Sequence, residues 1–354
     1  MNFWQQLEKP IMAVAPMADV TDAPFRRMLA KYSDWSNQKS AVMWTEFVTA
    51  DGLMRATPEG REKIMADLMY TEEERPIVAQ LFTSIPEHME GAAKLCTELK
   101  FDGIDINMGC PVRVIGNQGA GAAMIKDPEN AKEVIRAAKR GAGDLPVSVK
   151  TRIGYNEDEI ATWVPAILEE KPAALTVHLR TKKQLSKVPA QWEKLRRIVE
   201  LRDKISPDTL ILGNGDVLSI EDAKEKVESV GADGAMIGRA LFGNPWFFHT
   251  GKELPVRLTA LPTHGVNRDT LHAEDTSRAD IEYITLEERL RVMVEHTKLF
   301  EEQLGFKNFA IMKKHFKAYV NSFPGASELR AELMQQNSAD EVEAVVHAFL
   351  KKQK

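Results

Sequence analysis

The sequence predicts a (β/α)8 TIM barrel that is followed by a C-terminal helical-bundle domain. Eight short apolar runs alternate with helical stretches between Ile11 and Ala240, close to the length of about 250 residues that is typical of such barrels. Residues unusual for buried strands stand where these runs end. A doubly wound open sheet is the alternative, but a barrel gathers eight carboxyl ends around one mouth, where barrel enzymes place their sites.

The predicted strands are short and rich in β-branched or apolar residues. They are Ile11 to Met17, Val42 to Val48, Pro76 to Phe82, Gly103 to Gly109, Val147 to Ile153, Ala174 to Leu179, Leu210 to Gly215, and Gly234 to Gly238. Helix signals lie between them. Ser84 to Glu87 resembles a capping box, and Asp127 followed by proline predicts a helix that ends at Gly141. Ser219 predicts the start of another helix, with acidic residues in its first turn.

The residues at the strand ends define the candidate site. In chain order they are Pro16 and Met17, Glu46, Gln80, Asn107 and Cys110, Lys150 and Arg152, His178 and Arg180, Asn214 to Asp216, and Gly238 and Arg239. A single one of them is more simply explained as a loop cap, whereas eight on one rim predict a ligand site. Cys110 lies between Gly109 and Pro111, which turn the chain and place the thiol at the rim of the sheet.

The composition changes after the eighth strand. Residues 251–285 show no apolar period and predict a polar linker or insertion. This segment separates a catalytic barrel domain at 1–250 from a helical domain at 286–354. In the helical domain, apolar residues at helical spacing begin with Leu290, and two or three further helices are predicted to follow.

One part of the helical domain is basic. Between residues 307 and 330, five basic residues and one acidic residue give a local charge of +4 (five minus one). Lys313 and Lys317 are four residues apart and share a helix face, with Lys314 and His315 between them. Phe316 and Tyr319 are aromatic neighbours. A solvated helix face and a contact patch for a phosphate backbone both fit this pattern.

Composition limits the class of protein. The chain of 354 residues is 44% hydrophobic and 28% charged, and its net charge of -5 confines any nucleic-acid contact to a local patch. Two cysteines indicate a reducing cytoplasm, and the eight histidines show no metal-ligand spacing, so we expect no metal. We also expect no secretion signal and no membrane span, because the necessary apolar runs are absent. No stable protein partner is evident.

The strand ends also predict a cofactor. Barrels often bind phosphate after strands seven and eight, where Gly215, Gly238 and Arg239 stand. Gln80 offers donors and an acceptor to the edge of a planar heterocycle, and Lys150 can stabilise negative charge on a reduced ring. A phosphate together with a planar redox ring indicates flavin mononucleotide (FMN).

Short motifs occur in a fixed order along most of the chain. They are Ala15 to Asp22, Val78 to Phe82, Asp105 to Pro111, Gly119 to Ala122, Val149 to Gly154, Val177 and His178, Gly213 to Val217, Ile237 to Ala240, and then Lys314, His315, Tyr319 and Pro324 to Ala326. In this order they resemble the bacterial-type tRNA-dihydrouridine synthase family, FMN-dependent reductases of uridine in tRNA. Leu179, Asn117 and Gln118 depart from the usual pattern of that family.

The resemblance implies a role for each matching residue. FMN would be held by Pro16, Met17, Ala18, Gln80, Lys150, His178, Asn214, Gly215, Asp216, Gly238 and Arg239. Cys110 would be the general acid that protonates C5 of uracil as a hydride reaches C6, with NADPH as the reductant. The partner would be tRNA, and its contacts would be Asn107, Arg152, Lys313, Lys314, His315 and Lys317.

Two other functions fit parts of the sequence. A flavin barrel that acts on a free pyrimidine, as dihydroorotate dehydrogenases do, would not need the basic helical domain. An RNA-binding protein with a degenerate barrel would not need the set formed by Cys110, Gln80, Lys150 and Arg239. Neither the uridine position nor the oligomeric state follows from the sequence.

Overall fold

The computed structural model of the chain describes residues 2–254 and 282–353. Eight parallel strands close into a barrel in sequence order, with the last strand paired to the first. They are β1 Ile11–Val14, β2 Ala41–Thr49, β3 Ile77–Phe82, β4 Gly103–Asn107, β5 Val147–Arg152, β6 Ala174–His178, β7 Leu210–Asn214 and β8 Gly234–Ile237. The predicted TIM barrel is confirmed.

Helices occupy the intervals between the strands and the C-terminal part of the chain. They are α1 Ala23–Tyr32, α2 Ala50–Arg55, α3 Pro58–Met65, α4 Pro86–Glu98, α5 Arg113–Gly116, α6 Pro128–Ala142, α7 Ile160–Leu168, α8 Leu195–Ile205, α9 Ile220–Val230, α10 Leu286–Leu304, α11 Met312–Tyr319, α12 Ala326–Leu333 and α13 Ala339–Gln353. The prediction of two or three helices after α10 is confirmed.

Two of the predicted helix starts are confirmed. The Asp127 carboxylate accepts the backbone N–H of Asn130 at the start of α6, with proline in the first position. The Ser219 hydroxyl accepts the N–H of Asp222 at the start of α9. In both places a short polar side chain satisfies a backbone donor that the helix itself leaves without a partner.

Two other predictions of helix ends are wrong. The Ser84 hydroxyl makes no capping box, because it donates to the carbonyl of Gln118 instead, and α4 begins at Pro86 without a side-chain cap. Helix α6 continues through Gly141 to Ala142, and Gly143 follows with a φ of 59°. Gly141 serves packing, since a Cβ there would lie 2.1 Å from the carbonyl oxygen of Glu90.

The chain forms two compact units. The first unit, Met1–Thr21 and Lys39–Gly238, contains the barrel. Its interior is filled by an apolar cluster in which the Trp4 and Trp44 rings lie 5.9 Å apart. The second unit joins Asp22–Gln38, the segment between β1 and β2, with Arg239–Lys354. Helix α1 therefore belongs to the same unit as the C-terminal helices.

The second unit has a buried aromatic centre. The Phe25 ring of α1 lies 6.1 Å from the His296 ring of α10 and 5.8 Å from the His315 ring of α11. At the sequence position where the polar segment was predicted, strands β9 Lys252–Glu253 and β10 Glu282–Tyr283 pair in parallel. Residues 255–281 of the predicted linker lie outside the described residues.

A charged network lies at the amino end of the barrel. The Asp233 carboxylate, just before β8, accepts from Lys9 Nζ at 2.5 Å, from Arg202 Nη1 at 2.8 Å and from the Ile211 amide at 2.8 Å. Burial raises the pKa of Asp233, but these hydrogen bonds outweigh burial and leave the pKa below its ordinary value. The carboxylate thus ties three parts of the first unit together.

Replacing Asp233 with asparagine is expected to lower the free energy of unfolding by about 2 kcal/mol, because a buried carboxylate with charged donors is lost. Since the folded pKa lies below the unfolded one, the stabilisation is present above pH ~4 and is lost as the pH falls below that value. Urea unfolding at pH 7 and pH 3 measures both effects. Asp208→Asn, an exposed position near the same end, is the control, and equal losses in both variants would contradict the prediction.

Candidate active site at the barrel mouth

The cysteine loop is fixed by the last residue of β4. The Asn107 side-chain oxygen accepts the backbone N–H groups of Gly109 at 3.1 Å and of Cys110 at 2.9 Å. An asparagine that closes its own turn in this way holds the following residues in one conformation. Cys110 is 9% exposed and lies directly beyond the carboxyl end of the strand, as predicted.

Two glycines let the cysteine loop pack closely. A Cβ on Gly109 would lie 3.2 Å from the backbone carbon of Thr151, so the loop lies against β5. A Cβ on Gly121 would lie 2.9 Å from the carbonyl oxygen of Cys110, and the φ of Gly121 is 61°. The Ala122 amide donates to that same carbonyl at 3.0 Å. The glycine-rich stretch after the cysteine is therefore part of the support of Cys110.

Arg152 holds the same loop from β5. Its Nε donates to the carbonyl of Gly109 at 2.6 Å, and its Nη1 donates to the carbonyl of Thr181 at 3.4 Å. Burial lowers the pKa of Arg152 to about 10, which leaves the guanidinium charged at neutral pH. Asn107 and Arg152, the predicted substrate contacts, therefore both bond to the backbone of the cysteine loop.

The Cys110 thiol stays protonated at neutral pH. Burial raises the pKa of Cys110 above its ordinary value, and the opposing effects of the Val112 amide, Arg152 and Lys150 are smaller. A neutral thiol can donate its proton, and nearby cationic side chains then stabilise the thiolate that is left. This is the protonation state that a general acid requires.

A chain of hydrogen bonds continues from Asn107 into the barrel. Asn107 Nδ2 donates to Gln80 Oε1 at 3.0 Å, and Gln80 Nε2 donates to Asp105 Oδ2 at 2.6 Å. The Ser148 hydroxyl donates to Asp105 Oδ1 at 2.6 Å. Sequence reasoning gave Asp105 no role. The available signal was its position two residues before Asn107, because alternate residues of a strand lie on the same face.

Lys150 lies next to this chain on β5. It pairs in register with Asn107 of β4, and its Nζ donates to Asn214 Oδ1 at 3.2 Å. Burial lowers the pKa of Lys150 to about 8, and Arg152 acts in the same direction, while Asp105 and Cys110 oppose it. The structure thus brings together Lys150, Asn214 and the cysteine loop, which the sequence had placed on one rim.

The ends of β6 and β7 are joined by an ion pair. Arg180 Nη2 lies 2.5 Å from Asp216 Oδ2, and Arg180 Nη1 lies 3.2 Å from His178 Nε2. Asp216 also accepts the Ala190 amide at 2.9 Å and has a φ of 51°. Arg180 was noted in the sequence only as a polar strand end, yet here it orients His178 and Asp216, two of the predicted cofactor ligands.

The glycines after β7 and β8 differ in their surroundings. A Cβ on Gly215 would lie 2.8 Å from Ala190 Cβ, and the φ of 123° also requires glycine. Among the described residues, a Cβ on Gly238 would make ordinary contacts with Met17 Sδ at 3.5 Å and Ala15 Cβ at 3.6 Å. Pro16 and Met17 are half-buried and Ala18 is exposed. Arg239, an exposed residue, follows Gly238 and opens a short 3-10 helix.

Comparison with known proteins decides the family. The model of the family described as dihydrouridine synthase matches residues 13–354. This chain belongs to the dihydrouridine synthase family. A Bacillus subtilis protein named probable tRNA-dihydrouridine synthase 2 is 38% identical, covering 99% of this chain and 97% of its own. A probable tRNA-dihydrouridine synthase of Staphylococcus aureus strain COL is 36% identical, covering 98% and 95%.

Members of the dihydrouridine synthase family are oxidoreductases, so the chain is an enzyme. Among solved structures, morphinone reductase in complex with tetrahydroNAD gives a TM-score of 0.46 at 15% identity, covering 77% of this chain and 93% of its own. Within residues 2–254 and 282–353, no group of three or more metal-binding side chains is assembled. None of the helices described is both long and apolar enough to cross a membrane.

The basic segment of this dihydrouridine synthase family member lies on α11. Lys314 and Lys317 are exposed and Lys313 is half-buried. His315 is buried, and its ring lies 4.6 Å from that of His296. Burial lowers the pKa of His315 to about 3, so the imidazole is neutral.

The aromatic residues of α11 therefore lie in the core of the second unit. Phe316 and Tyr319 are as deeply buried as His315. The sequence could not separate these two faces, because aromatic residues suit a base-stacking platform and a helix core equally well. Lys314 and Lys317, which are exposed, and the half-buried Lys313 are therefore the part of the predicted patch that solvent reaches.

Proposed function

We propose that this protein is a tRNA-dihydrouridine synthase of the cytoplasm, which uses FMN and NADPH to reduce the C5=C6 bond of specific uridines in tRNA. The observation that carries the proposal is the position of Cys110 at the mouth of the barrel, on a loop whose backbone is held by Asn107 and Arg152, in a chain of the dihydrouridine synthase family. The printed names of the Bacillus and Staphylococcus relatives support tRNA as the substrate.

The residues at the mouth fit a flavin by their chemistry. Gln80 retains a second N–H on Nε2, and Lys150 carries an ammonium, so both present donors to the nitrogen and oxygen edge of a planar ring. The proposed phosphate site is at the end of β8, where Gly238 has no side chain and Arg239 follows it with a cationic side chain. The remaining proposed ligands are Pro16, Met17, Ala18, His178, Asn214, Gly215 and Asp216.

FMN bound at this mouth and reduced by NADPH would supply the hydride that C6 of the uracil ring gains. As negative charge develops at C5 and on the adjoining carbonyl, Cys110 Sγ gives its proton to C5. The resulting thiolate lies in the field of Arg152 and Lys150, which stabilise it until solvent returns the proton. Hydride and proton together account for the two hydrogens that dihydrouridine gains.

The chain also provides for binding of the substrate. A uridine in folded tRNA is stacked, so it must leave its stack to meet the thiol, as bases do in other enzymes that modify them. Asn107 and Arg152 are the proposed contacts to the extruded base. Lys313, Lys314 and Lys317 are the proposed contacts to the phosphate backbone, and His315 is left out because it is buried.

The function is tested by mapping dihydrouridine in tRNA from cells with and without this gene. Loss of the modification at one or a few positions is the expected result, and its return with purified protein, FMN and NADPH completes the test. An unchanged map would contradict the proposed function. Protein that takes up no FMN would contradict the cofactor, and faster reduction of free pyrimidines than of tRNA would contradict the substrate.

Replacing Lys313, Lys314 and Lys317 with alanine is expected to weaken tRNA binding and to flatten its dependence on salt. Each lost phosphate contact lowers the slope of log affinity against log salt by about 0.7–0.9. Binding of labelled tRNA at 50–300 mM salt measures this slope. A matched control variant replaces three exposed lysines of barrel helices, Lys63, Lys94 and Lys224. If both variants show the same slope, the lysines of α11 are only a solvated helix face.

A further inference from the structure

We propose that Asp105 is a positioning residue that fixes which atoms Gln80 presents to the cofactor and, through Gln80, holds the turn that carries Cys110. The inference deepens the proposed function, because one of its readouts is FMN binding. Asp105 is fully buried inside the barrel on β4 and contacts Gln80 and Ser148. It touches none of the atoms that react.

The direction of the hydrogen bonds follows from Asp105. The two ends of a glutamine amide have nearly the same shape, so shape alone does not decide which end points where. An ionised carboxylate only accepts hydrogen bonds. Gln80 must therefore turn Nε2 towards Asp105, which leaves Oε1 to accept from Asn107 Nδ2.

The same direction is then imposed on Asn107. With Nδ2 engaged by Gln80, the oxygen of Asn107 points to the amides of Gly109 and Cys110, which both donate to it. If Gln80 were reversed, its Nε2 would oppose Asn107 Nδ2. A reversed Asn107 would in turn set its Nδ2 against two backbone donors. One carboxylate thus determines the orientation of two amides and of one turn.

The hydrogen-bonding capacity that Gln80 has left explains why its orientation matters. Within the part of the chain that the structure describes, Nε2 uses one of its two hydrogens on Asp105. The second hydrogen makes Gln80 a donor towards a bound ring, whereas the reversed amide would present an acceptor. A buried donor is costly to leave unmatched, so this choice distinguishes ligands with an acceptor edge from those without one.

The charge of Asp105 is consistent with this role. Burial raises the pKa of Asp105 to about 6, while Ser148, Gln80 and Lys150 oppose the rise, so the group is ionised at neutral pH. The Ser148 hydroxyl occupies Oδ1 and Gln80 occupies Oδ2, so both oxygens act as acceptors. The Lys150 ammonium on the neighbouring strand balances the buried negative charge.

The test compares Asp105→Leu with a charge-exchange variant, Asp105→Asn combined with Gln80→Glu. In Asp105→Leu, Gln80 loses its acceptor, and we expect FMN affinity to fall about tenfold or more. We also expect iodoacetamide to alkylate Cys110 about tenfold faster in Asp105→Leu than in the wild type, when both proteins are free of FMN. Cys96, buried in α4, is the unreactive internal reference.

The charge-exchange variant keeps one buried carboxylate and a complete set of partners. The asparagine introduced on β4 donates to the glutamate introduced on β3, and that glutamate still accepts from Asn107, so the protein folds even where Asp105→Leu does not. We expect alkylation of Cys110 at the wild-type rate, but FMN affinity about tenfold lower, because the donor of Gln80 is gone. Asp102→Asn, just before the same strand and paired with Arg75, is the control for stability alone.

The outcomes separate the two proposals. Wild-type protein that binds no FMN contradicts the proposed function, and the alkylation rates then decide the role of Asp105 by themselves. FMN affinity in the charge-exchange variant equal to that of Asp102→Asn overturns the assignment of the Gln80 donor. Cys110 alkylation in Asp105→Leu at the rate of Asp102→Asn overturns the link from Asp105 to the cysteine turn.

Discussion

Cys110→Ala is expected to lower the rate of tRNA reduction by about 10²- to 10⁴-fold while leaving FMN bound, since that is the usual contribution of a general acid. The thiol proton is the group that the reaction consumes, and the backbone of the loop is held by Asn107 and Arg152 rather than by the sulfur. Alanine therefore removes the proton donor and keeps the turn.

The measurement is a single turnover. Enzyme reduced beforehand with NADPH is mixed with tRNA, and the return of the oxidised flavin absorbance is followed together with dihydrouridine formation. Cys96→Ala is the matched control, because this cysteine is buried in α4 on the outside of the barrel. A Cys110→Ala enzyme that reduces tRNA as fast as Cys96→Ala would refute the assignment of the acid.

Lys150→Met is expected to lower the same rate by about 10²- to 10³-fold, the usual cost of removing one donor that stabilises developing charge. The pKa of Lys150 is lowered to about 8, so its charge is present below pH 8 and is lost as the pH rises through that value. In the wild-type enzyme, activity should therefore decline on the alkaline side of pH 8.

A pH profile of the turnover rate between pH 6 and 10 tests this assignment. Lys150→Arg keeps a cation at every pH in this range, so the decline should move to higher pH, where Cys110 itself begins to ionise. Lys150→Met should show no decline near pH 8. If the methionine variant declines at the same pH as the wild type, the group that titrates is not Lys150.

The barrel and its rim could be predicted from the sequence because both depend on local patterns. Short apolar runs predict strands, and residues that follow parallel strands meet at one edge wherever the strands lie in the sheet. Asn107, Cys110, Lys150 and Asn214 are brought together for that reason alone.

The features that the sequence did not reveal depend on contacts between distant segments. Ser84 has the spacing of a capping box, but its hydroxyl donates a hydrogen bond to the carbonyl of Gln118, 34 residues away. His315 stands among lysines, yet the rings that bury it come from α1 and α10. Asp105 is an ordinary acid in the sequence and gains its importance only from the amide of Gln80 on the neighbouring strand.

The composition of the second unit affects how the protein is made. Helix α1 leaves the ribosome early, but the helices it packs with, α10 and α11, are synthesised more than 250 residues later. Until then its apolar residues Phe25, Met28 and Leu29 have no finished core in which to be buried. A shortened protein ending near residue 250 would keep these side chains exposed for its lifetime, so it should depend on chaperones and aggregate even with every barrel strand in place.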